Sequence, residues 1–84
     1  MTRLWRTGDP IHAHTDANGD LLSFTWQGQS HVVAIIVNRW RVDLDWWDQR
    51  LCREYFKLTT ATGLLVIVYH DLMAEAWCIQ RLYD

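Results

Sequence analysis

Cysteine, proline, glycine and lysine are all scarce in this chain, and no long apolar run occurs. The 84 residues include two Cys, one Pro and four Gly, and all but one of the eight basic residues are Arg. The spacing of Cys52 and Cys78 fits neither a CxxC nor a zinc pattern, which argues against a disulfide-stapled secreted scaffold. Both are read as reduced thiols. The longest mainly apolar run, Val32–Val37, is far shorter than the roughly 20 residues of a membrane-spanning helix. The opening MTRLWRTGDP has basic residues but no apolar stretch of a secretory leader. A net charge of −2 with a pI near 6.0 lacks the surplus of Lys and Arg that nucleic-acid wrapping or a polybasic membrane contact requires. A cytoplasmic protein with no membrane association is expected.

What is abundant is aromatic and β-branched. Half of the residues are hydrophobic and six are Trp, a load that offsets the small core of so short a chain. Residues 1–9 read as a lead-in, punctuated by Gly8-Asp9-Pro10, and residues 10–84 as a single small β domain. Ile11–Thr15 has the weak apolar content of an edge strand. Asn18-Gly19 marks a tight hairpin, because it supplies the positive φ angles such turns need. Leu22, Phe24 and Trp26 alternate with Ser23 and Thr25, as in a half-buried strand. Ser30–Trp40 is almost continuously β-branched, as in a central strand covered on both faces, and is long enough to bend into two halves of a sheet. Arg53–Thr60, Leu64–His70 and Ala76–Tyr83 complete the strands. The fold class expected is all-β, about six antiparallel strands in a curled sheet or small open barrel.

Between these strands, Val42–Leu51 reads as a loop or short helical turn that crosses between two halves of the sheet. It is dense in Trp, Arg and Asp. An exposed Trp ringed by Arg has the composition of a contact anchor, so Trp46, Trp47, Arg50, Arg53 and Tyr55 are the candidate partner-binding residues. One of the adjacent Trp46 and Trp47 is expected in the core and one at the surface. Trp26, Trp40 and Trp77, within strands, are expected to be core.

Trp26-x-Gly28 before a Val/Ile strand, Trp40, the Trp46-Trp47 pair, Arg53-Glu54-Tyr55-Phe56, the Thr60–Gly63 turn and a closing Trp77 with Leu82-Tyr83-Asp84 occur in a distinctive order. In this the chain resembles a small family of bacterial domains of unknown function, and the C-terminal region of the Y-family-polymerase-like proteins of the inducible-mutagenesis cassette. The resemblance runs from about Ile11 to Asp84. No polymerase palm or finger accompanies it, so it implies an accessory module of DNA repair by translesion synthesis that holds protein partners together. Polymerisation is not implied.

Other chemistries are weaker. Asp43, Asp45, Asp48 and Glu54 are oxygen ligands in principle, but Arg41, Arg50 and Arg53 are placed to neutralise them and no binding-loop glycine accompanies them. His12 and His14, with His31 or His70, form a conceivable zinc set that edge-strand exposure also explains. Cys52 lies between Arg50 and Arg53 without an evident base. No phosphate cradle or Ser-based motif is present. The expectation is a non-catalytic interaction module with no cofactor or metal. Single-stranded nucleic-acid binding through stacked aromatics and Arg is the alternative, and a small enzyme or metal protein is the third reading.

Overall fold

In a computed structural model, six antiparallel strands close into a small barrel in the order β1-β2-β3-β4-β5-β6. The structure describes the backbone of residues 2–46 and 49–83, and side chains within 8–44 and 51–83. The strands are β1 (Thr2–Thr15), β2 (Leu21–Trp26), β3 (Gln29–Trp46), β4 (Gln49–Thr60), β5 (Leu65–Asp71) and β6 (Ala76–Tyr83). Closure comes from β1, whose first part pairs with β6 (Thr2 opposite Tyr83, Ile11 opposite Trp77) and whose second part pairs with β2 (His12 opposite Thr25). The change of partner follows an irregularity between Leu4 and Asp9, where the chain gains residues relative to β6 and bends. The segment read as a lead-in is therefore mostly strand, and Gly8-Asp9-Pro10 lies at a bulge rather than before the first element.

The bend expected of β3 is present. Its start pairs with β2, from Ser23 opposite Val32 to Trp26 opposite Gln29, and its remainder pairs with β4 from Val33 to Trp46. Coverage on both faces is not. Val32, Ile35 and Val37 are 57, 64 and 56% exposed, because β3 is a wall of a barrel with a single interior and none of the described strands is layered outside it.

In its described residues, 42–46 and 49–51, the stretch Val42–Leu51 is neither a helical turn nor a crossing. Both strands continue through it in register, Val42 opposite Arg53, Leu44 opposite Leu51 and Trp46 opposite Gln49. β5 joins β4 only from Arg53 onward. The β3–β4 hairpin therefore projects past the barrel as a two-stranded arm. The alternation Val42-Asp43-Leu44-Asp45-Trp46 is itself a period-2 strand signal, masked by the density of charge.

The interior is filled by alternate residues Phe56 and Leu58 of β4 and Val66 and Val68 of β5, and by Ile79 and Leu82 of β6, which a register shift brings opposite Val68 and Val66. Ile11 of β1 and Leu21, Phe24 and Trp26 of β2 complete it. The turns follow their residues. Gln27 and Gly28 both have positive φ in the β2–β3 hairpin, the geometry that matches the twist of two paired strands. In the β1–β2 turn, Asp16 Oδ1 accepts from the amides of Asn18 and Asp20, each at 2.9 Å, a local bond of the kind Asp offers a turn.

Candidate functional site

The long β3–β4 pair decides what lies at each end of the barrel. Near the base of the arm, Arg39 stands opposite Phe56, Arg41 opposite Glu54, Glu54 opposite His70 and His70 opposite Trp77. Residues directly opposite in a sheet share a face, so this transverse row continues the interior face to the barrel mouth. There a cleft of about 300 Å³ opens, lined by Arg39, Glu54, Phe56, His70 and Trp77 together with Thr15 at the end of β1 and Asn18 and Gly19 of the β1–β2 turn. Mouths of β-barrels are a habitual place for binding sites.

One wall of the cleft is aromatic. The His70 imidazole lies flat on the Trp77 indole, 4.4 Å between centroids and 3° between planes, and Trp77 stacks in turn on Phe56 at 5.6 Å. The other side is a charge cluster. Arg39 Nε donates to Glu54 Oε1 at 2.7 Å, and Nη1 donates to Asp20 Oδ1 at 2.9 Å. Its guanidinium carbon sits 5.0 Å from the centre of the Phe56 ring. Arg41 Nη2 donates to the second Glu54 oxygen at 3.3 Å. The hydrogen bond to Glu54 is the main reason that Arg39 holds its proton even more firmly than an ordinary guanidinium. Both Glu54 oxygens are thus taken up, and the cations at this mouth are balanced by carboxylates of the same chain.

A second aromatic group lies on the outer face of the same strands. Trp40 and Tyr55 stack at 5.3 Å and 3°, Tyr55 meets Tyr69 at 5.4 Å, and the Arg53 guanidinium covers Tyr69 at 4.5 Å. This group is structural. Tyr69 is only 2% exposed, and a Cβ placed on Gly8 would lie 2.5 Å from its hydroxyl and 2.7 Å from Cys78 Cβ. The β1 bulge is therefore pressed onto it. Burial, reinforced by a hydrogen bond with Cys78, pushes the Tyr69 phenol up to about 12.

Of the candidates read from the sequence, Arg53 and Tyr55 fall together on this outer face, Tyr55 buried and Arg53 half-buried with its Nη1 3.5 Å from the Tyr55 hydroxyl. Trp46 and Arg50 sit near the arm's tip, at register positions opposite Gln49 and Asp45; their side chains, and all of Trp47, lie outside the described residues. The cleft residues Arg39, Phe56 and His70 were not singled out as binding residues, because only the closed register brings four strands and a turn to one mouth. A usable signal existed: Glu54 and Phe56 alternate with Arg53 and Tyr55, so one tetrapeptide serves both faces.

Of the other tryptophans with described side chains, Trp26 is core, its indole Nε1 donating to Asp9 Oδ2 at 2.7 Å, Trp77 is half-buried and packed against the core from the mouth, and Trp40 is half-buried on the outer face. Exposed His12 and His14, buried His31 and the mouth's His70 are dispersed. Among the described residues no group of three His, Cys, Asp or Glu is arranged to hold a metal ion. Cys52 and Cys78 are both free thiols. No helix among the described residues is long and apolar enough to cross a membrane. No protein-family model matches the chain, and comparison with curated proteins and with solved structures finds no match either.

Proposed function

We propose that this chain is a non-catalytic interaction module that holds a protein partner at the barrel mouth, with the cleft taking an apolar or aromatic anchor side chain. The observation that carries this reading is the cleft itself, which combines a stacked His70–Trp77–Phe56 wall with charges already satisfied within the chain. An apolar anchor gains from the wall and strips no unpaired charge of water, as hot-spot pockets require. A phosphate backbone would find little here, since Arg39 and Arg41 already have carboxylate partners and affinity for nucleic acid depends on unneutralised cations. Catalysis is disfavoured on similar grounds. Glu54 is held by two guanidinium groups, and among the described residues that line the cleft there is no Ser or Cys.

The resemblance to the C-terminal region of the inducible-mutagenesis polymerase-like proteins points to the translesion machinery as the place to seek the partner, in a cytoplasmic setting compatible with two free thiols. The test is a titration of the folded chain with the polymerase-like proteins of such a cassette and, separately, with oligothymidylate at several salt concentrations. Binding of protein that falls at least tenfold in His70→Ala, at an unchanged melting point, supports the reading. Tight oligothymidylate binding with a steep salt slope would replace it with the nucleic-acid alternative.

A further inference from the structure

Closure of the barrel leaves one long strand edge without a neighbour. β2 pairs with β3 only as far as Val32, and from Val33 to Trp46 the sole strand beside β3 is β4, among the described residues. Such an edge presents a row of backbone donors and acceptors and is a ready template for another strand. Its irregularities lie between Val33 and Ile35 and between Ile36 and Asn38. The uninterrupted ladder therefore runs from Asn38 to Trp46, and its midpoint is Val42.

The sequence along this ladder has the same centre. Arg39, Arg41 and Asp43 occupy one face, and Trp40, Val42 and Leu44 the other, as their opposite numbers in β4 show, and Asp45 holds the register position two beyond Asp43. Two basic positions precede Val42 and two acidic positions follow it at mirrored spacing. We propose that the chain forms a homodimer by antiparallel pairing of β3 with β3 of a second copy, about a two-fold axis through Val42 and normal to the sheet.

A two-fold axis normal to the sheet keeps each face on its own side, so only residues of like face meet. Centred on Val42, it sets Arg41 opposite Asp43 of the second copy and Arg39 opposite Asp45. On the other face it sets Val42 against Val42 and Trp40 against Leu44. Leu44 is 45% exposed and would be covered. Moving the centre to Arg41 or to Asp43 sets that residue against its own copy, which is destabilising in a sheet, and leaves two Arg–Asp pairs in place of four. The interface is therefore self-complementary in one register, as an isologous contact must be. Affinity comes chiefly from the backbone bonds, as in strand addition generally, and the charges fix the register. The pairing uses the edge of β3 and leaves the His70–Trp77 wall of the cleft untouched, meeting the cleft at Arg39, which with Arg41 also holds Glu54 within the chain.

Sedimentation of the full chain over a concentration series tests this. The wild type is expected at twice the 10.0 kDa chain mass, dissociating on dilution. Arg41→Asp and Asp43→Arg each place like charges across the axis and should weaken the dimer at least tenfold while circular dichroism keeps the wild-type strand signal. Mixing the two variants should restore a dimer, because each then meets its opposite charge, an outcome that mere local damage to the arm could not produce. A wild type that stays monomeric into the millimolar range would overturn the proposal. So would single reversals that leave the dimer intact, or a mixture that fails to recover it.

Discussion

Within the barrel and within the arm, β3 and β4 are the same two strands held by different forces. Opposite Leu58 and Thr60, β3 contributes Ile36 and Val33, which pack against the core, so burial of apolar surface fixes the register there. From Asp43 to Trp46, opposite Gln49 to Cys52, no third strand joins among the described residues and Leu44 is exposed. A two-stranded ribbon alone is at best marginally stable in water. The core's demands end near Cys52, which is itself buried, and we propose that the dense Trp, Arg and Asp beyond it serve contact.

The largest expected effect is on the barrel side of this contrast. Leu58→Ala removes a side chain with no exposure and should cost about 2–5 kcal/mol in denaturant unfolding. Leu44→Ala in the arm, measured on dilute protein, should stay within roughly 0.5 kcal/mol. Comparable losses at both positions would mean that the arm is part of the core.

Two glycines sharpen the comparison further. Gly8 and Gly28 have nearly equal φ, 76° and 75°, but only Gly8 is pressed against Tyr69 and Cys78, while Gly28 faces open space. Gly28→Ala should cost about 1–2 kcal/mol from backbone conformation alone. Gly8→Ala adds the clash with the Cys78 Cβ, which no rotamer change relieves, and should cost roughly 2–4 kcal/mol. Equal melting points for the two variants would remove the β1 bulge from the outer aromatic group.

Tyr69 gives a pH signature of that group. Its phenol is raised from 10.0 to about 12 by burial and by Cys78, so the unfolded chain releases this proton at lower pH than the folded one. Stability is thus fully present below pH 10.0 and declines as pH rises toward about 12. Tyr69→Phe should flatten this decline, and the wild type should show one tyrosine ionising late in tyrosinate absorbance. Smallest is Arg39→Ala, whose ion pairs are half-exposed and worth no more than about 1 kcal/mol, less at high salt.

Much of the barrel was legible in the sequence because its signals are local. Leu22-Ser23-Phe24-Thr25-Trp26 alternates, Asn18-Gly19 and Thr62-Gly63 turn, and the β-branched stretch from Val32 to Val37 announces a long strand. The first part of β1 was hidden because Gly8 and Pro10 resemble terminators, although both suit a bulge where the strand changes partner. The cleft was hidden for another reason. Arg39, His70 and Trp77 are far apart in the chain and carry no motif, and only register brings them to one mouth. Glu54 illustrates the same limit, since a carboxylate among arginines reads as metal ligand or ion pair until its two oxygens are placed.

Shortening the arm tests most directly whether it serves contact rather than folding. Asp43 and Cys52 stand opposite in register, so Asn-Gly in place of Leu44–Leu51 can close the hairpin with a two-residue turn while keeping Cys52, whose carbonyl accepts from the Leu72 amide at 2.9 Å. We predict a folded barrel, melting within a few degrees of the parent at equal dilution, that has lost dimerisation. A shortened chain that fails to fold would make the arm part of the barrel's stability and contradict the account.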